Sequence, residues 1–189
     1  MLRDLIRPFA YLTIKHPSHM PLWVNWIVPV AVAVGAGAAM RYWGLSVDLF
    51  GDNGLVARVL GFVQTMVGFY IACLAVIAAF NSEHMDKIMP GKPPTMTVKY
   101  NGVPTVVQAT RRRFLCSMFA YLTALTFVVS VLAILGLALA KPLGLLMSEC
   151  VRQWAKVAVF GAVVFVSVQL TTITFWGLFY MGERMLTPD

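Results

Sequence analysis

Apolar residues in this chain gather into four long blocks, at about residues 23–39, 55–80, 114–140 and 155–181. Each falls in or above the range of about 17 to 25 helical residues that crosses a hydrocarbon core of about 30 Å. Length, rather than periodicity, separates these blocks from buried core helices. The last three are longer than a crossing requires, so they are expected to tilt or to project beyond the bilayer.

Between the second and third blocks the period changes from helical to alternating. In "TMTVKYNGVPTVVQ", Met96, Val98 and Tyr100 alternate with Thr97 and Lys99. Val103, Thr105 and Val107 resume the alternation after Asn101-Gly102. Asn-Gly favours a two-residue hairpin turn because both central positions need positive φ. Pro104 has no N–H to give to a ladder, so it belongs at an edge or at a non-bonded position. The preceding "MPGKPP" reads as a rigid loop.

Near the N-terminus, Leu2, Leu5, Ile6, Phe9 and Leu12 can share one helical face, with Arg3, Asp4 and Arg7 more polar. This predicts a short interfacial helix, kinked at Pro8 and ended by Pro17 and Pro21. Charges mixed into the apolar run argue against a secretory signal. The predicted architecture is an all-α integral membrane protein with a single domain, residues 1–189. It has four transmembrane helices, an N-terminal interfacial helix, and a small cytoplasmic β-hairpin between helices 2 and 3, inside a loop at 81–113.

Composition agrees: 59% of residues are hydrophobic and 12% charged, against about 25% charged in a soluble domain. Mean hydropathy is +0.77. The net charge of +7 therefore bears first on orientation and anionic lipid rather than on nucleic acid. With four crossings, one side collects Arg3, Arg7, Lys15, Lys87, Lys92, Lys99, Arg111, Arg112, Arg113 and Arg184. The other collects Arg41, Arg58, Lys141, Arg152 and Lys156. The excess places both termini and the hairpin loop in the cytoplasm.

The acidic residues, Asp4, Asp48, Asp52, Glu83, Asp86, Glu149, Glu183 and Asp189, all avoid the middle of a span. This argues against a proton-coupled carrier but leaves a channel open. Arg58, one turn into the second helix, can snorkel or pair with Asp52, or else line a pore. Gln64 and Gln169 are amides at membrane depth and need partners or water, so they serve helix packing or a hydrated lumen. Thr172 shares a face with Gln169 at i, i+3 spacing. Phe165 and Trp176 flank that face, so the polar stripe is short. Gly35, Gly37, Gly61 and Gly68 allow close helix approach, within or between subunits.

A lone hairpin is marginally stable in water, which predicts a contact surface built from Lys99, Tyr100, Val103, Val107, Arg111, Arg112 and Arg113. The three arginines also read as a cytoplasmic stop, or as a headgroup or nucleotide-phosphate site. His16 and His19 in "HPSH" lack the spacing and companions of a metal site. Cys73 and Cys116 read as apolar fillers, and Cys150 as a thiol in the outer loop, free or joining two subunits. There is no phosphate loop, nucleophile–base spacing or zinc signature, so neither catalysis nor a cofactor is expected.

In length, four spans and its basic middle loop, "NSEHMDKIMPGKPPTMTVKYNGVPTVVQATRRR", the chain resembles the small four-span subunit of the Kiwa anti-phage defence system of bacteria. The resemblance covers the whole chain and carries over no functional residue. It implies an oligomeric inner-membrane sensor that responds to phage and signals to a soluble cytoplasmic partner. The reading is a non-enzymatic oligomeric scaffold or sensor, with a tetramer expected. The competing readings are an ion channel or holin-like membrane-disrupting effector, and a membrane immunity or accessory protein.

Overall fold

A computed structural model describes residues 6–14, 22–44, 47–51, 53–79, 83–89, 93–100 and 103–184; the side chains at 83, 84, 98–100, 103, 104, 183 and 184 are outside the description. Among the described residues, four helices are long and apolar enough to cross a membrane: Trp23–Tyr42, Leu55–Ala79, Arg111–Leu146 and Glu149–Gly182. The chain is a multi-pass membrane protein by helix length and hydropathy. The first span opens with a π-helical turn, Trp23–Ile27, and continues as α1, Val28–Tyr42. Then come α2 (Leu55–Ala79), a single turn α3 (Glu83–Asp86), β1 (Thr95–Tyr100), β2 (Val103–Gln108), α4 (Arg111–Leu146) and α5 (Glu149–Phe179). A second π turn, Tyr180–Arg184, closes the described chain.

Three helices run past the apolar blocks. α4 begins at Arg111 and continues through Pro142 to Leu146. α5 starts at Glu149. The first span reaches Tyr42. Hydropathy marks where lipid ends, whereas a helix ends where its hydrogen-bond ladder ends. Pro142 removes one bond to the carbonyl four residues back, near a helix end where water can replace it. With 36 residues, α4 is about 54 Å long at 1.5 Å per residue.

Apolar side chains point outward along the spans. Only 17–22% of each span's most apolar window is buried. Val34, Leu132, Leu135 and Leu139 are exposed. A water-soluble bundle would hide such residues, whereas lipid solvates them.

The chain divides into two compact units. One comprises Met1–Pro21, Gly68–Leu125 and Ile173–Asp189, the other Leu22–Val67 and Thr126–Thr172. The first unit has an aromatic core. Phe114 meets Trp176 edge-on at 5.6 Å between ring centroids and Tyr180 at 5.8 Å. Tyr70 lies against Phe119 and its hydroxyl is 2.7 Å from that of Thr174, joining α2 to α5.

The N-terminal segment differs from the expected amphipathic α-helix. Arg7–Thr13 is a 3-10 helix with Pro8 in its first turn, where proline's missing N–H costs nothing. Its buried residue is Tyr11, stacked on Tyr121 at 5.3 Å, while Ile6 is exposed. Ile6, Phe9 and Leu12 recur every three residues and so still share one side of the 3-10 turn, but the side chain carried inward is Tyr11. Leu2, Arg3, Asp4, Leu5, Pro17 and Pro21 lie outside the described residues.

In the second unit, the loop before α2 caps that helix with backbone groups. The N–H groups of Leu55 and Val56 donate to the carbonyls of Asp48 (2.9 Å) and Leu49 (3.2 Å), meeting two of the helix's orphan donors. Asp48 Oδ1 accepts from the Gly51 N–H at 2.8 Å. A Cβ at Gly54 would fall 2.7 Å from Leu49 O, so this close approach requires glycine.

Candidate functional site

The hairpin is antiparallel, with Thr95 opposite Gln108 and Tyr100 opposite Val103. Its hydrogen-bond parity follows from its base, where the Ala109 N–H donates to Pro94 O at 2.9 Å. Bonded and non-bonded pairs alternate along an antiparallel ladder. Counting from Pro94–Ala109, the Lys99–Pro104 pair falls at a non-bonded position. Pro104 therefore breaks no rung, as its sequence position required. The Asn101-Gly102 turn lies outside the described residues.

The same register puts Met96, Val98, Tyr100, Val103, Thr105 and Val107 on one face. Tyr100, Val103 and Val107, chosen from sequence as contact residues, thus share a face. Lys99 lies on the opposite face with Thr97 and Val106. Val106 is 67% exposed. Among the described residues the sheet has only these two strands, so each keeps one unshared edge.

The base of the hairpin is tied down. Residues 87–89 run antiparallel to 109–111, with Met89 N–H to Ala109 O (3.4 Å) and Arg111 N–H to Lys87 O (3.3 Å). Met85, Met89 and Ala109 are buried. Thr110 caps α4, its Oγ1 accepting from the Arg113 N–H at 3.3 Å, in the manner of an N-cap.

The three arginines occupy three environments. Arg111 is 3% exposed. Arg112 grips Asp86 with two nitrogens, Nε at 2.9 Å and Nη2 at 3.0 Å, and its Nη1 reaches Ala78 O at 3.3 Å. Arg113 is exposed. All three stand at the positive end of the α4 dipole, where cations are unfavourable. Asp86, the last residue of the short α3, offsets that locally. Sequence reasoning passed over Asp86 as a partner, and nothing in its spacing from Arg112 signals the pairing.

The polar residues of α5 serve a different purpose. Val28 donates its N–H to Trp23 O, five residues back. Pro29 follows, and it has no N–H. It therefore deprives Asn25 O of its α-helical donor and Val24 O of its π-helical one. Gln169 Nε2 donates to Asn25 O at 3.0 Å. Thr172 Oγ1 lies 3.0 Å from Val24 O, and it also reaches Val168 O at 2.9 Å and Gln169 O at 3.1 Å in its own helix. All three carbonyls lie within reach of its one hydroxyl proton. Side chains of the last span thus replace the donors that proline removes from the first. Gln169 is 3% exposed and Asn25 6% exposed. The sequence signal for this clasp was Pro29, four residues after Asn25.

Arg58 and Gln64 are not drawn into the clasp. The Arg58 Nε donates to Asn53 O at 3.0 Å, turning the guanidinium toward the loop end of α2. Asp52, its expected partner, lies outside the described residues, as do His16 and His19. Gln64 is exposed on α2. It shares that helix's outer surface with Gly61, Thr65, Gly68, Ala72, Ala75 and Ala79, all exposed. A Cβ built at Gly61 or Gly68 meets nothing within 4 Å. No known protein family, curated protein or solved structure matches this chain.

Proposed function

We propose that this protein is a non-enzymatic oligomeric scaffold or sensor of the bacterial inner membrane, with both termini cytoplasmic, and that its hairpin recruits a soluble cytoplasmic protein. The observation that carries the reading is a sheet that has only two strands among the described residues, with a largely apolar face and a base tied to residues 87–89. The edge of such a sheet can accept a further strand, and its alternate side chains then select the partner. The resemblance to the Kiwa membrane subunit favours a partner in anti-phage defence.

The oligomer rests on α2. A primary amide exposed at membrane depth is costly in lipid, and the small residues on both sides of Gln64 let a second helix approach closely. Paired Gln64 amides from two copies would satisfy one another. Gln169 and Thr172 favour packing over a pore, because an amide N–H of Gln169 and the hydroxyl of Thr172 reach backbone carbonyls of the first span.

The test uses a photo-crosslinking amino acid at Val106 in cells challenged with phage, with adducts identified by mass spectrometry. One defined cytoplasmic adduct is expected, and it should vanish when Tyr100, Val103 and Val107 are all changed to serine. Phage protection should vanish with it. Protection that survives the triple substitution, with no adduct formed, would overturn the reading.

A further inference from the structure

A cleft of about 480 Å³ runs along the second unit, lined by α4 and α5 and by residues at the start of α2. It exists because its floor is small. Ala133, Gly136, Ala140 and Gly144 recur at three- and four-residue spacing on α4, so they lie on one side of the helix, and α5 adds Ala155 and Ala162. Space above the floor is open: a Cβ at Gly136 or Gly144 meets nothing within 4 Å.

Every lining residue is apolar except Arg152 and Lys156. These two are one turn apart on α5 and stand together at the end of the cleft nearest the α4–α5 connection. The opposite end, at Val129 and Val166, is wholly apolar. From Lys156 to Val166 is ten residues, about 15 Å of helix. That matches half of a hydrocarbon core about 30 Å thick. Trp154, exposed beside the two cations, marks the same level as the headgroup region, where tryptophan concentrates.

Arg152 shares its charge with Glu149, to which it is ion-paired. Lys156 has no ion pair among the described residues, and it sits seven residues inside the helix. At the headgroup level an ammonium with no protein carboxylate beside it is placed to meet a lipid phosphate. We infer that the cleft holds one acyl chain of an anionic phospholipid, with the lipid phosphate against Lys156 and Arg152. The charged end and the apolar run match an amphiphile, one leaflet deep. The lipid belongs to the leaflet on the side of the 147–148 connection, and this assignment is independent of which cellular face that is.

The full chain, purified in mild detergent and stripped of lipid, would be titrated with phosphatidylglycerol or phosphatidylcholine and read by native mass spectrometry. Wild type is expected to retain one phosphatidylglycerol per protomer in preference to phosphatidylcholine. Lys156→Gln should weaken phosphatidylglycerol retention about fivefold, the effect of one basic residue near an anionic surface, and leave phosphatidylcholine unchanged. Gly136→Phe should abolish retention of both, with its unfolding midpoint showing that the fold is intact. Equal retention of the two lipids with no effect of Lys156→Gln would overturn the inference. So would a Gly136→Phe protein that keeps its lipid, or one that loses only its oligomeric mass, since a second copy's helix would then be the occupant.

Discussion

Replacing Gln169 with leucine tests whether the clasp between the first and last spans arises from Pro29. The change keeps volume nearly constant and removes one donor, the Nε2 that reaches Asn25 O at 3.0 Å. Asn25 lies in a buried site, so its carbonyl loses its partner where water does not replace it. A buried acceptor left unmet costs about 1–3 kcal/mol. Interhelical side-chain bonds in membrane proteins measure lower, about 0.6 and at most about 1.7 kcal/mol. A loss of about 1–2 kcal/mol is expected, read by unfolding the purified protein in mixed micelles with increasing SDS.

The decisive measurement is a double-mutant cycle with Pro29→Ala. Alanine restores an N–H four residues after Asn25, able to close the ordinary helical bond. In that background Gln169→Leu should cost less than about 0.5 kcal/mol, giving a coupling of about 1 kcal/mol between residues on different helices. Thr172→Val should cost less than Gln169→Leu, because Thr172 already has two acceptors in its own helix. Equal costs for Gln169→Leu in the wild-type and Pro29→Ala backgrounds would refute the reasoning, since the glutamine would not then be standing in for the missing N–H.

Three further outcomes are expected. In intact cells, Cys150, which is exposed, should react with a membrane-impermeant maleimide, while a Val106→Cys variant with Cys150 removed should react only after permeabilisation; the reverse pattern would invert the topology. Gly54→Ala should lower stability by about 1–3 kcal/mol, because the added methyl meets the Leu49 backbone, and an unchanged thermal midpoint would show that no such close approach exists. Asp86→Asn should cost less than about 1 kcal/mol, as its carboxylate is largely exposed, and the deficit should fade toward 1 M salt, where screening acts over about 3 Å; a salt-independent deficit would mean that Asp86 acts by packing rather than charge.

The four spans were legible because hydropathy integrates over some twenty residues, and no local detail can cancel it. The hairpin was legible because alternation, Asn-Gly and the position of Pro104 agree with one another. What escaped were pairings. Gln169 announced itself as an amide in need of a partner, but the partner is a backbone carbonyl 144 residues away. Backbone acceptors carry no residue identity, and only a proline four residues downstream betrays one. Tyr11 escaped for the same reason: it is buried by stacking on Tyr121, far along the chain, and local periodicity carries no sign of that contact.

The arginine run shows the same limit from the side of charge. Read along the chain, Arg111, Arg112 and Arg113 form a single basic patch of three. On a helix, successive residues point about 100° apart, so three in a row cannot share a face. One is carried inward, one meets Asp86, and one faces out. A soluble partner approaching the hairpin can engage Arg113 without disturbing the fold, whereas engaging Arg112 means competing with a two-nitrogen grip on a carboxylate. Neutralising Arg113 alone should therefore remove most of the salt-dependent part of partner binding. The same change at Arg112 should appear first as lost stability.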